Sequence, residues 1–181
     1  QSMVATEGLE PAVAFLEQWV AANPDDGFVG QVLAQAYHQL GRTSQAVQLF
    51  EKTLAQSPDN PLLLNNLALA YAESGDERAL DHARRAYELR PGAPEIADTL
   101  GWVLVKQGEV LEGLRHLRDA QSRAATDAGI SYHIAVALNE LGRTDEAIDE
   151  LVRAMRSGAG SAWEQERAAR LLQELRAAPR G

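Results

Sequence analysis

Hydrophobic residues recur along most of the chain at spacings of three, four and seven positions. This spacing is typical of amphipathic α-helices that bury one face. The segments with this pattern are short, and a glycine or a proline separates most of them. Glycine suits a helix end because it adopts the left-handed conformation cheaply, and proline suits the first turn of the next helix. The pattern predicts an all-α protein of short helices joined by tight turns.

The helix pattern repeats with a nearly constant period. Gly41, Gly75, Gly108 and Gly142 follow one another at intervals of 34, 33 and 34 residues, and the sequence Leu-Gly-Arg-Thr surrounds the first and the last of them. A fixed period of this length indicates a repeat architecture. Each repeat is expected to contain a helix, a turn at the glycine and a second helix.

Small residues occupy matching positions on both sides of each turn. They are Ala34, Ala68, Gly101 and Ala135 before the glycines, and Ala46, Ala79, Gly113 and Ala147 after them. Two helices approach closely only where one of them presents a small side chain, so these positions predict a tight crossing within each repeat. Thr43, Asp76 and Thr144 follow three of the glycines and are expected to cap the second helices.

Together these positions resemble the tetratricopeptide repeat (TPR). The resemblance includes the large residue four positions before each glycine, which is Tyr37, Tyr71, Leu104 or Leu138. It implies a right-handed α-solenoid of helical hairpins with a C-terminal capping helix, in which Trp163, Leu171, Leu172 and Leu175 are expected to form the buried face. The expected division of the chain is 1–3, a tag remnant; 4–26, the second helix of a truncated preceding repeat; 27–60, 61–93, 94–127 and 128–161, four repeats; and 162–181, the capping helix and tail.

A narrower resemblance concerns residues 79–91 and the segment Asp98-Thr99-Leu100-Gly101-Trp102. These segments resemble the TPR lipoproteins associated with exosortase (PEP-CTERM) and exopolysaccharide loci of Gram-negative bacteria. The resemblance implies a role in assembly or export of exopolysaccharide at the cell envelope. It also implies a periplasmic or outer-membrane-associated protein, held by a lipid anchor upstream of this sequence; a cytoplasmic location is the alternative.

TPR geometry also implies where a partner binds, because the first helix of each repeat lines a concave groove. The expected groove residues are Phe28, Gln31, Gln35, His38, Asn65, Asn66, Leu69, Asp98, Trp102, Tyr132, His133 and Asn139. Amide side chains of this kind can bond the main chain of an extended peptide, and tryptophan and tyrosine are common anchors. Trp102 could instead be half-buried between adjacent repeats. Only Asn66 matches the clamp with which chaperone-binding TPR domains hold a terminal carboxylate, so we expect no such ligand.

The composition of the chain excludes some classes of function. The chain has 181 residues, a net charge of −9 and no cysteine. An acidic chain lacks the basic stripe that nucleic-acid binding needs, and without cysteine there is no thiolate nucleophile or cysteine-bound metal. No apolar run reaches the ~20 residues of a membrane span, so we expect no direct membrane insertion by this segment.

Candidate chemistry is sparse. The four histidines form no His-x-x-x-His pair, and the carboxylates of Asp145-Glu146 and Asp149-Glu150 are expected to form a solvated helix face. We therefore expect no catalytic residue, no metal and no cofactor. The function predicted is a non-enzymatic scaffold that holds a protein or peptide in the groove, with self-association of the truncated solenoid as a further expectation. A structural spacer and a carbohydrate-binding module are the alternatives.

Overall fold

The computed structural model describes the backbone of residues 9–157 and 162–177, and the side chains of residues 9–156 and 165–177. Within these ranges the secondary structure is helical, as the hydrophobic spacing predicts. The helices are α1 (Leu9–Ala22), α2 (Gly27–Gln39), α3 (Thr43–Gln56), α4 (Pro61–Ser74), α5 (Ala79–Leu89), α6 (Pro94–Lys106), α7 (Val110–Arg123), α8 (Ala128–Glu140), α9 (Thr144–Ser157) and α10 (Ala162–Ala177). The side chain of Trp163, expected on the buried face of α10, lies outside the described residues. Leu172 and Leu175 are buried as expected, whereas Leu171 is only half-buried.

The helices belong to two compact units, residues 1–91 and residues 92–181. In the first unit α2 pairs with α3 and α4 with α5, while α1 packs against α2. In the second unit α6 pairs with α7 and α8 with α9, and α10 packs against both α8 and α9. In each pair the two helices are consecutive in the chain, so each pair is a helical hairpin.

The turn inside each hairpin depends on its glycine. Gly41, Gly75, Gly108 and Gly142 have φ angles of 72°, 72°, 86° and 73°, which is the left-handed region that favours glycine. At Gly75 the next amide donates to the carbonyl of Tyr71 at 2.9 Å, and this bond closes the end of α4. The periodic glycines are therefore the helix ends that their spacing predicts.

The expectation that Thr43 and Thr144 cap the second helices is wrong. Each is the first residue of its helix, and the Thr144 hydroxyl donates to the Asn139 side-chain oxygen at 3.0 Å. Side-chain caps occur at first helices instead, as at α2, where Asp26 accepts from the Val29 amide. The physical reason is that the glycine turn is one residue shorter than the prediction allows, so the second helix includes the threonine.

Asp76 does not cap α5 either. Its carboxylate accepts from the Arg78 amide at 3.0 Å, but Arg78 is itself the residue that precedes the first turn of α5. The helix begins at Ala79, three residues after Asp76.

The helix crossing between α6 and α7 is very close, and two glycines face each other there. A Cβ added to Gly101 would lie 2.8 Å from the carbonyl oxygen of Gly113, and one added to Gly113 would lie 2.6 Å from that of Gly101. Real Cβ atoms do not approach this close, so either side chain would push the backbones apart. In the other hairpins alanines occupy these positions, and Ala34, Ala46 and Ala147 are each fully buried.

One expected solvated group is in fact buried. The Glu150 side chain is 1% exposed, and its carboxylate accepts from Arg118 at 2.7 Å and also from Gln121 and Arg153. The expectation that Glu150 belongs to a solvated face is wrong because α7 supplies two of these donors across the junction. A buried carboxylate is tolerated where charged and polar donors surround it.

A second recurring contact joins each hairpin of the first unit to the helix before it. The Tyr37 hydroxyl on α2 donates to Glu17 on α1 at 2.8 Å, and the Tyr71 hydroxyl on α4 donates to Glu51 on α3. Burial of the phenol, reinforced by the neighbouring Glu17 carboxylate, raises the pKa of Tyr37 to about 12. The same two causes, with Glu51 as the carboxylate, raise the pKa of Tyr71.

The glycine crossing makes a first prediction. Gly101→Ala and Gly113→Ala should each lower the free energy of unfolding by about 1–3 kcal/mol, because the added methyl overpacks two backbones. Gly92→Ala is the matched control, since nothing lies within 4 Å of the Cβ it would add and it should change stability little. Urea unfolding followed by circular dichroism measures the three variants. Equal stability of Gly101→Ala and Gly92→Ala would contradict the close approach.

The tyrosine contacts predict a loss of stability in alkali. Below about pH 10 the tyrosine side chains are neutral in both the folded and the unfolded protein. Above about pH 10 the unfolded chain releases protons that Tyr37 and Tyr71 retain in the folded protein. The free energy of unfolding therefore falls as the pH rises. Urea unfolding between about pH 9 and pH 11.5 should show this fall. The double variant Tyr37→Phe and Tyr71→Phe should show a shallower one. The same slope in both proteins would show that these two phenols do not carry the effect.

Candidate partner-binding surface

Four of the predicted groove residues come together in the second unit. Asp98 and Trp102 lie one turn apart on α6, and Tyr132 and His133 are consecutive on α8. The rings of Trp102 and His133 are stacked, with centroids 4.3 Å apart and planes 19° apart. The Tyr132 ring centroid is 6.4 Å from that of Trp102.

The two helices aim these side chains in one direction because their other faces are buried. On α6 the residues Ile96, Leu100 and Val103 are no more than 3% exposed, and on α8 Ile134 and Leu138 are fully buried. Residues four positions apart share a helix face, so burial of the apolar stripe fixes where Asp98 and Trp102 point. All four polar and aromatic side chains remain partly exposed.

A hydrogen bond with Asp98 holds the His133 ring in place. Its Nδ1 lies 2.8 Å from Oδ1 of Asp98, and the two side chains are 15% and 17% exposed. A carboxylate at Nδ1 favours the form of the imidazole that carries a proton there. It thereby orients the ring whose face contacts Trp102.

Two cations complete the group. Lys106 Nζ lies 5.7 Å from the centroid of the Trp102 ring, and Arg167 Cζ on α10 lies 4.4 Å from that of Tyr132. A cation over an aromatic face is attracted by the negative charge of that face. We call Asp98, Trp102, Lys106, Tyr132, His133 and Arg167 the aromatic cluster. Lys106 stands four residues after Trp102, a spacing from which it could be predicted, whereas Arg167 belongs to α10, where no motif distinguishes it from the other arginines.

The predicted residues of the first unit do not form such a group. Phe28 is 77% exposed, and Gln35 is exposed as well, while Gln31, Asn66 and Leu69 are half-buried. The structure shows no contact that gathers them into one cluster.

Two further predicted residues of the first unit have their own surroundings. Nε2 of His38 lies 2.9 Å from the Glu73 carboxylate. Asn65 is buried, and its side-chain oxygen has no hydrogen-bond partner among the described residues.

Asn139 has a structural contact of its own. Its side-chain oxygen accepts from the Thr144 hydroxyl across the turn between α8 and α9. Trp102 is half-buried, and its ring stacks on His133 of the following hairpin, so the alternative expected for it, half-burial between adjacent repeats, agrees with the structure.

The remaining chemistry of the described residues is limited. No group of three or more histidine, aspartate or glutamate side chains there could hold a metal ion. Among the described helices, none combines the length and the apolar character needed to cross a membrane.

Two family matches cover more than half of the sequence. Residues 34–75 match the family described as "TPR repeat", and residues 99–162 match the family described as "Tetratricopeptide repeat". The chain is a tetratricopeptide repeat protein. Both the TPR resemblance and the predicted fold class are confirmed.

Solved TPR structures show the same fold. The chain resembles TTC0263, a thermophilic TPR protein of Thermus thermophilus, with a TM-score of 0.77, 21% identity and 94% of each chain covered. It also resembles YrrB, described as a TPR protein with an unusual peptide-binding site, with a TM-score of 0.65 and 19% identity over 94% of this chain and 87% of YrrB.

Relatives known by sequence are much longer proteins. Interferon-induced protein with tetratricopeptide repeats 3 of Mus musculus is 31% identical over 65% of this chain and 30% of its own length. The Vi polysaccharide export protein VexE of Salmonella typhi is 31% identical over 74% of this chain and 21% of its own length. This TPR chain therefore spans less than a third of the length of these relatives.

Proposed function

We propose that this TPR protein is a non-enzymatic scaffold that binds a segment of another protein, with the aromatic cluster as its main contact in the second unit. The stack of Trp102 on His133 carries the proposal. It places two stacked aromatic rings, both partly exposed, beside the buried apolar stripes of α6 and α8.

The composition of the aromatic cluster suits a protein partner. Tryptophan and tyrosine contribute much contact area at a small cost in side-chain entropy, which is why they are frequent anchors at interfaces. Lys106 and Arg167 lie beside the rings and supply positive charge. A segment with an apolar side chain next to a carboxylate would fit both features.

The aromatic cluster is also ordered before a partner arrives. Asp98 orients His133, and His133 in turn covers one face of Trp102. A surface that is already in its binding conformation loses less entropy on association.

We further propose that the whole protein acts in exopolysaccharide assembly or export at the bacterial cell envelope, as a lipid-anchored protein. The similarity to VexE supports this context, as does the resemblance of the segment around Trp102 to exosortase-associated TPR lipoproteins. The proposed role is to hold components of such a system together.

The test is affinity capture with quantitative mass spectrometry. The immobilised chain, the double variant Trp102→Ala and Tyr132→Ala, and the control Phe15→Ala are each exposed to envelope and cytosolic extracts. Phe15 is a matched control because it is an aromatic residue, 64% exposed, on α1. Circular dichroism checks that all three proteins remain helical.

We expect the double variant to lose a specific envelope protein by at least about tenfold while Phe15→Ala retains it, as for loss of two anchor residues. An unchanged set of captured proteins would contradict the scaffold proposal and favour a spacer. Amide shifts induced by exopolysaccharide fragments, with no captured protein, would favour a carbohydrate-binding module.

A further inference from the structure

A second groove lies in the first unit, on the side formed by second helices. It runs between α1 and α3, above α2, and has a volume of about 560 Å³. Val20, Leu33 and Leu49 give it an apolar floor, and Gln45, Gln48 and Lys52 of α3 line one wall. This groove involves none of the predicted first-helix residues.

The second unit contains a group of three helices, α7, α8 and α9, that corresponds to α1, α2 and α3, and we call this group the counterpart. Adding 101 to the bounds of α1, α2 and α3 gives the bounds of α7, α8 and α9. By this offset, Val20 corresponds to Gln121, Leu49 to Glu150 and Lys52 to Arg153. The two three-helix groups thus differ in side chains at matching positions.

In the counterpart, a carboxylate fills the junction between the second helices. Glu150 is 1% exposed and accepts hydrogen bonds from Gln121, Arg153 and Arg118. Arg118 corresponds to Glu17 of α1. The junction between α7 and α9 is therefore closed by an internal carboxylate that cations and an amide surround.

In the first unit the cation is present and the carboxylate is missing. Leu49 stands where Glu150 would be, and the ammonium group of Lys52 has no ion-pair partner within 4 Å among the described residues. The side-chain amides of Gln45 and Gln48 make no hydrogen bond to a described residue. The groove thus offers an apolar floor, one available positive charge and two available amides.

The acidic side chain on the opposite wall already has partners. Glu17 accepts from the Tyr37 hydroxyl at 2.8 Å, and Nη1 of Arg42 lies 3.9 Å from the same carboxylate oxygen. Its charge is therefore offset in part within the protein, whereas Lys52 is a cation of the lining without such a partner among the described residues.

We propose that this groove binds an extended peptide segment of another protein, one with an apolar residue next to an aspartate or glutamate. The apolar side chain rests on Val20 and Leu49. The carboxylate pairs with Lys52, as Glu150 does with Arg153 in the counterpart. Gln45 and Gln48 bond the main chain of the peptide, whose polar groups would otherwise be left unpaired on burial.

The probe is the capped peptide acetyl-Ala-Leu-Asp-Leu-Asp-Ala-amide, added to the uniformly ¹⁵N-labelled chain. Saturable shifts are expected at the amides of Gln45, Gln48 and Lys52. The peptide with asparagine in place of both aspartates should bind at least about fivefold more weakly, because the ion pair with Lys52 is lost.

Variants separate the groove from the rest of the surface. Ala21→Trp should fill the groove, which Ala21 lines, and weaken binding at least about tenfold. Ser122→Trp makes the same change at the corresponding position of the second unit and should leave binding intact. Both positions are exposed, so neither variant should disturb folding. Lys52→Glu should abolish the preference for aspartate, and Lys52→Arg should keep it.

Three results would contradict the proposal or the ligand that it assigns. Absence of saturable shifts at the three amides would overturn the proposal, as would binding that Ala21→Trp leaves unchanged. Equal affinity for the aspartate and asparagine peptides would overturn the assignment of the ligand as acidic.

Discussion

Two helix backbones can approach closely only where the side chains between them are very small, and this constraint recurs in each of the four hairpins that the structure describes. In three hairpins alanines meet the requirement. Between α6 and α7 it is met by glycines so close that neither could carry a Cβ without displacing the other's carbonyl oxygen. The crossing sets the distance and the rotation of the helices in a pair, and so determines which side chains of the first helix remain on the surface.

The residues that pack the hairpins are consequently different from those that we propose bind a partner. Gly101 and Trp102 are neighbours in sequence, yet Gly101 is buried in the crossing while Trp102 is stacked on His133 at the surface. Such a division allows surface residues to change with little cost to the fold. The contrast between Leu49 and Glu150 is an instance within one chain, since one junction is left open and its counterpart is closed by an ion pair.

Features that repeat along the chain could be predicted from sequence, because the period itself reveals them. The glycine turns, the small residues at the crossings and the TPR fold are of this kind. Features that depend on contacts between different helices could not be predicted in the same way. The burial of Glu150 requires knowing that Arg118 and Gln121 lie opposite it, and the position of Arg167 over Tyr132 depends on how α10 is placed against α8. Of the expected groove residues, Asp98, Trp102, Tyr132 and His133 lie together, while Asn139 bonds Thr144 at a turn.

Amide hydrogen exchange of two variants tests the division between packing and surface residues most directly. In Gly101→Ala the amides of α6 and α7 should exchange faster than in the unchanged protein, because the crossing is forced apart. In Trp102→Ala the protection of α6, α7 and α8 should be nearly that of the unchanged protein. A loss of protection in Trp102→Ala as large as in Gly101→Ala would contradict the account, since Trp102 would then be a core residue rather than a surface one.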